Sequence, residues 1–97
     1  MTNSDLTRTP NIGKTLAEKL ISTGITNSGE LKSIGSENAI TLLETMGIET
    51  CINMLYALEG AIQGIRWHNL DNDKKRELKD FYDQMKKNTN PAQNHNK

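Results

Sequence analysis

The sequence is poor in cysteine, proline and aromatic residues, and neither sign of charge is in excess. One cysteine excludes an intramolecular disulfide framework and indicates a reducing compartment, so we expect a cytoplasmic protein. The 12 basic and 12 acidic side chains balance, which excludes the strong basicity of a histone-like nucleic-acid binder. No apolar run approaches the roughly 18 residues of a membrane-spanning helix, and the first residues lack the apolar region of a signal peptide. We therefore expect no membrane contact.

A chain of 97 residues and 10.9 kDa has room for one small domain. Only 34% of its residues are hydrophobic and the mean hydropathy is −0.68, which indicates that part of the chain lies outside the core. The stretch 88–97 contains Pro91 and a single apolar residue, Ala92. It is predicted to be a flexible tail that follows a domain of residues 1–87.

Acidic and basic residues are segregated along the chain although they balance overall. Residues 36–65 contain four acidic residues and no basic one, whereas residues 66–97 contain eight basic and five acidic residues. The acidic middle would repel a polyanion, so contact with one is expected near the ends of the chain.

Apolar residues recur at helical spacing along nearly the whole chain, and no alternating run indicates a strand. We predict an all-α fold, a compact bundle of about five helices with helix-hairpin-helix-like units. Residues 49–65 are apolar on most sides and are predicted to form the central helix. Gly24 and Gly47 are predicted to end helices, and Ser36 is predicted to N-cap the third one.

A weak internal repeat links the first and third predicted helices. The pattern Ile12-Gly13-x-x-x-Ala17-x-x-Leu20-Ile21 returns 22 residues later as Ile34-Gly35-x-x-x-Ala39-x-x-Leu42-Leu43. In each copy an Ile-Gly turn opens a helix, and a small residue lets that helix approach a neighbour closely. We therefore predict two similar helix–turn–helix units that pack together.

The first copy extends to Pro10-Asn11-Ile12-Gly13-Lys14-x-x-Ala17. This pattern resembles the hairpin of helix-hairpin-helix DNA-binding modules, and in particular the hairpin in the carboxy-terminal domain of the alpha chain of RNA polymerase. Glycine lets a ligand come close to the backbone, the free N–H groups of a first helical turn bind anions, and Lys14 adds a positive charge. Such a site holds phosphate without reading bases. The residues predicted to contact DNA phosphate are Asn11, Ile12, Gly13, Lys14 and Thr15.

A structural alternative exists for the same residues, namely a tight turn that only joins two packed helices. For the first copy the two interpretations remain open. In the second copy the structural interpretation is favoured, because Ser36-Glu37 places a carboxylate where Lys14-Thr15 stand in the first.

No other residues form a pattern typical of catalysis, of a metal site or of a cofactor site. Trp67 is expected to close the edge of the bundle with its indole N–H bonded to a carbonyl. Cys51 falls on an apolar helix and is expected to be a buried, unreactive thiol. The charges of residues 71–83 alternate at helical spacing and predict a solvated helix face in preference to a nucleic-acid surface. Opposite charges stand four residues apart at Asp71 and Lys75, at Arg76 and Asp80, and at Lys79 and Asp83.

Motifs along most of the chain point to one family. They are Asn11-Ile-Gly13, Leu20-x-x-x-Gly24-Ile25, Leu31-x-x-Ile34-Gly35, Asn53-Met-Leu-Tyr-Ala-Leu-Glu-Gly-Ala61 and Trp67-x-x-Leu70. This succession resembles the C-terminal domain of the TfoX/Sxy competence regulators over roughly residues 8–85. The resemblance implies a helical domain with helix-hairpin-helix character, and full-length members of the family regulate natural DNA transformation. Those members carry a separate N-terminal domain for which this chain has no room, so we expect a stand-alone version.

Two functions from different classes follow. The first is a non-catalytic, DNA-associated regulatory module that grips duplex DNA without sequence preference through residues 11–15, and Arg8, Lys14 and Lys19 favour it. The second is a protein–protein interaction domain that docks on a transcription or DNA-uptake regulator without touching DNA. The zero net charge and the acidic middle favour this second function. The sequence leaves the oligomeric state open.

Overall fold

Five α-helices form where the sequence predicts them, in a computed structural model that describes residues 5–89. A 3₁₀ turn at Leu6–Arg8 precedes the first helix, and a second at Trp67–Asn69 precedes the last. Within the described residues there is no strand, which confirms the predicted all-α bundle. The helices are α1 (Lys14–Ser22), α2 (Ser28–Ile34), α3 (Ser36–Thr45), α4 (Ile52–Gln63) and α5 (Asn72–Thr89).

Helix α4 lies at the centre of the bundle, as its apolar sequence predicts. It packs against α2, α3 and α5 and against the 3₁₀ turn Trp67–Asn69. Leu55 and Leu58 are fully buried, whereas Ile62 is half-buried. Because removal of apolar surface from water contributes about 25 cal/mol per Å², these leucines are a main source of stability.

Cys51 corrects one expectation. Its backbone is extended (φ −146°, ψ 167°), so α4 begins only at Ile52 and Cys51 stands outside the helix. The residue is exposed, and the prediction of a buried thiol was wrong.

Three helices end in the same Gly-Ile sequence. At the end of α1, Gly24 adopts φ 98°, which L-residues with a side chain rarely adopt, and the N–H of Ile25 donates back to the carbonyl of Leu20 at 3.1 Å. This hydrogen bond caps the last turn and directs Ile25 into the core, where it is fully buried. The same ending follows α3 at Gly47-Ile48 and α4 at Gly64-Ile65.

The internal repeat has a structural counterpart. Gly13 and Gly35 are the N-cap residues of α1 and α3, and their carbonyls accept the N–H groups of Ala17 and Ala39, both at 3.0 Å. Both alanines are buried, and α1 packs against α3.

The predicted N-cap at Ser36 was wrong. Gly35 is the only residue between α2 and α3 and serves as both the C-cap of α2 and the N-cap of α3, so Ser36 is the first residue of α3. Its hydroxyl donates to Oε1 of Glu59 on α4 at 2.6 Å and thus joins two helices.

A polar network attaches α5 to the rest of the bundle. The buried hydroxyl of Thr50 donates to Oε1 of Glu44 at 2.7 Å and lies 3.0 Å from the hydroxyl of Tyr82. Because the single proton of Thr50 goes to Glu44, Tyr82 must donate to Thr50. Lys86 donates to Oε2 of the same Glu44 at 2.8 Å.

Helix α5 continues to Thr89, and so includes the first two residues of the predicted tail. The remainder of that stretch, residues 90–97, lies outside the described residues. None of the helices within residues 5–89 combines the length and the apolar character that crossing a membrane would require.

Candidate nucleic-acid interface

The turn at residues 11–15 joins the first 3₁₀ turn to α1. Asn11 adopts the left-handed conformation (φ 71°), which asparagine tolerates better than other residues with a side chain. This conformation reverses the chain so that Ile12 is buried and Gly13 becomes the N-cap of α1. Ile12 is therefore a core anchor.

The side chain of Asn11 points into the protein. Its Nδ2 donates to the carbonyl of Ile65 at 2.9 Å and, less closely, to that of Ala57 at 3.4 Å. Its Oδ1 accepts the backbone N–H of Trp67 at 3.1 Å. A Cβ at position 60 would lie 2.5 Å from Asn11 Nδ2, so Gly60 of α4 makes room for this arrangement. Asn11 thus ties the turn to the α4–α5 connection, a role the sequence did not reveal.

Gly13, Lys14 and Thr15 are exposed at the start of α1. The N-cap residue Gly13 has no side chain to cap this end of the helix, and the first turn contains no acidic residue. The amides of a first turn have no partner within their own helix, and the helix dipole makes this end electropositive. These three residues therefore form an open, electropositive surface.

The second Ile-Gly turn differs in charge. Ser36 is buried and bonded to Glu59, and Glu37 follows it. Burial, with the nearby carboxylates of Glu77 and Glu59, raises the pKa of Glu37. A phosphate would be repelled here, in agreement with the structural interpretation of this copy.

A stack of aromatic rings lies beside the turn at residues 11–15. The indole of Trp67 stacks on Tyr56, with centroids 5.8 Å apart and planes at 17°, and on His68, at 4.1 Å and 26°. Trp67 is half-buried at the bundle edge, as predicted. The predicted bond from its indole N–H to a carbonyl does not form within residues 5–89, and its backbone N–H bonds to Asn11 instead.

Helix α5 presents mostly the solvated face that its charges predict. Lys79 pairs with Asp83 at 3.1 Å as expected, whereas Arg76 pairs with Asp73 at 3.3 Å and not with Asp80. Exposed pairs of this kind contribute about 0–1 kcal/mol.

Lys75 departs from this pattern. It is half-buried, its Nζ lies 5.7 Å from the centroid of the Trp67 indole, and it donates to the carbonyl of His68 at 3.4 Å. The sequence could not reveal this contact, because eight positions separate Lys75 from Trp67 across a helix start. No group of three or more His, Cys, Asp or Glu side chains among residues 5–89 could hold a metal ion.

Comparison with known proteins agrees with the motifs. The sequence model of the TfoX C-terminal domain family matches residues 2–82. An uncharacterized protein from Listeria monocytogenes, in a triclinic crystal form, is 48% identical over 84% of this chain and 92% of its own, with a TM-score of 0.81. A protein of unknown function from Listeria monocytogenes, in a tetragonal form, is 49% identical over 82% and 99%, with a TM-score of 0.80. None of the curated proteins compared gave a significant match.

Proposed function

Because the chain belongs to the TfoX C-terminal domain family, we propose that it is a non-catalytic regulatory module that grips the backbone of duplex DNA through the turn at residues 11–15. The turn binds phosphate, so its affinity for DNA does not depend on base sequence. The backbone N–H groups of Gly13, Lys14 and Thr15 and the ammonium group of Lys14 contact the phosphate. Asn11 and Ile12 hold the turn in place from behind.

One observation carries the proposal: the fold itself does not require glycine at position 13. The φ of Gly13 is −94°, which any residue adopts, and a Cβ there would meet no atom within 4 Å among the described residues 5–89. Asparagine, aspartate or serine at this position would cap α1 more strongly, by roughly a few tenths of a kcal/mol. A glycine that costs helix stability and leaves the turn open suits the close approach of a ligand to the backbone.

The charges near the turn favour a weak, salt-sensitive interaction. Lys14 and Arg8 are exposed, but the chain has no net charge to add long-range attraction. With about 2–4 phosphates contacted, the slope of log K against log salt concentration should be roughly −2 to −4. Binding should therefore be measurable at about 50 mM salt and lost within a few hundred millimolar.

The test is a fluorescence anisotropy titration of a labelled random-sequence duplex with wild type and Lys14→Glu. We expect the substitution to weaken binding about tenfold or more at 50 mM salt and to make the salt slope shallower by about 1. Glutamate in a first helical turn is favourable, so Lys14→Glu should not unfold α1. Lys32→Glu, on the exposed surface of α2, is the matched control and should change binding little.

The second candidate function, docking on a regulatory protein without DNA contact, is favoured by the zero net charge and by the acidic stretch 36–65, in which Met46 at the end of α3 is 54% exposed. Absence of DNA binding at low salt would contradict DNA binding and favour this alternative. Equal losses from Lys14→Glu and Lys32→Glu would contradict the assignment of the DNA site to the turn at residues 11–15.

A further inference from the structure

A groove of about 390 Å³ opens directly beside the turn at residues 11–15. Leu16 from the first turn of α1 and Met54 from α4 line it with apolar surface, and Trp67 and His68 add two stacked rings. This volume lies at the lower end of the range for small-ligand sites, about 300–1,000 Å³. A groove of this volume can hold one planar ring system.

The charges at the groove distinguish it from others on the described part of the chain. Its lining includes Arg66 and His68 and no acidic residue, and Lys75 lies 5.7 Å from the indole of Trp67. A groove at the start of α3 is instead lined by three glutamates, at positions 37, 59 and 77. Aromatic rings combined with cations are typical of surfaces on which the bases of a single nucleic-acid strand stack.

Asn11 connects the groove to the phosphate-binding turn. It belongs to the turn, lines the groove, and holds the backbone N–H of Trp67 at 3.1 Å. A phosphate at the α1 N-terminus and a base in the groove would thus contact one rigid unit.

We propose that this groove takes an unpaired base of the DNA strand whose phosphate lies at the 11–15 turn. The preferred ligand is then DNA with single-stranded character. A base within an intact duplex would have to give up its pairing and stacking to enter the groove. This inference rests on the proposed function and adds base stacking to phosphate binding. Stacking on an aromatic side chain does not select among bases, so the site remains indifferent to sequence.

The test uses the only tryptophan of the chain as a reporter. A thymidine oligonucleotide, an abasic oligonucleotide of the same length and a duplex are each titrated while Trp67 fluorescence is recorded. We expect the thymidine oligonucleotide to quench the fluorescence and to bind about 5- to 150-fold more tightly than the abasic one. It should also bind more tightly than the duplex.

Asn53→Glu supplies a variant that keeps the ring stack. Asn53 is exposed in the first turn of α4 and lines the groove, where a glutamate favours the helix but repels the strand. It should weaken thymidine binding at least fivefold, whereas Ser33→Glu on α2, with the same added charge, should not.

The outcomes separate this inference from the proposed function. Equal affinity for thymidine and abasic oligonucleotides, or no effect of Asn53→Glu, would refute base binding in the groove. This would hold even if Lys14→Glu weakened the binding of both oligonucleotides. Tighter binding of the duplex than of the thymidine oligonucleotide would refute the preference for DNA with single-stranded character. Base-dependent binding that Lys14→Glu leaves unchanged would support the groove and refute phosphate binding at the turn.

Discussion

Replacement of Asn11 by alanine should destabilise the domain by about 2–4 kcal/mol. The two closer hydrogen bonds of its side chain, at 2.9 Å to Ile65 and 3.1 Å from Trp67, contribute about 0.5–1.5 kcal/mol each. Alanine is also disfavoured in the left-handed conformation that residue 11 adopts, by roughly 1 kcal/mol relative to asparagine. For a domain of this size, 1 kcal/mol shifts Tm by about 4–8 °C, so a fall of at least about 8 °C is expected.

Asn11→Gly separates the two contributions. Glycine adopts the left-handed conformation without strain but makes no side-chain hydrogen bond, so it should destabilise by about 1 kcal/mol less than alanine. Asn69→Ala, an exposed position in the nearby 3₁₀ turn, is the control and should stay within about 0.5 kcal/mol of wild type.

The assay is urea unfolding followed by circular dichroism and by Trp67 fluorescence. Both probes should report the same midpoint if the turn and the helices unfold together. A loss below 1 kcal/mol for Asn11→Ala, or a greater loss for Asn11→Gly, would refute the claim that this side chain holds the turn. Asn11 would then be free to act as a direct DNA contact.

Three further predictions concern stability. Leu58→Ala should lower the free energy of unfolding by about 2–5 kcal/mol in a denaturant titration. Ile62→Ala should lower it less, because Ile62 is half-buried. Equal effects of the two substitutions would contradict the assigned packing of α4. Burial and neighbouring carboxylates raise the pKa of Glu37 in the folded state. Its contribution to the free energy of unfolding is therefore most favourable below about pH 4.3 and is lost as pH rises through the folded-state pKa. Glu37→Gln should raise Tm at pH 7. Hydrogen bonds from the backbone N–H of Ser28, and to a smaller extent from its hydroxyl, lower the pKa of Asp5. The stability that ionised Asp5 gives the folded state is therefore present above about pH 3.9 and is lost as pH falls through the folded-state pKa. Asp5→Asn should flatten the acid side of the curve of Tm against pH.

The five helices and several of their ends could be predicted because their signals are local. Apolar spacing identifies a buried face within one or two turns, and a glycine such as Gly24 or Gly47 ends a helix through hydrogen bonds that span only five residues. Ser36 was misplaced by the same local reasoning, since its partner Glu59 lies 23 positions away on α4.

The candidate site was predictable only in part. The Ile-Gly-Lys pattern located an exposed helix start, and Gly13 and Lys14 do lie there. The pattern could not distinguish an asparagine that faces a ligand from one that faces the protein. Asn11 bonds to residues 46 to 56 positions away, so its orientation depends on where α4 ends and on the space left by Gly60.

The sequence by itself determined the family, the all-α class and the order of the helices, because helix formation and capping depend on residues within a turn or two of each other. Only the tertiary structure decided which polar and aromatic side chains meet. Trp67 stacks on Tyr56 and His68 and lies near Lys75 because the 3₁₀ turn that carries it packs against α4 and directly precedes α5. Contacts of this kind depend on helix packing angles and on the length of the connection, which no short pattern in the chain specifies.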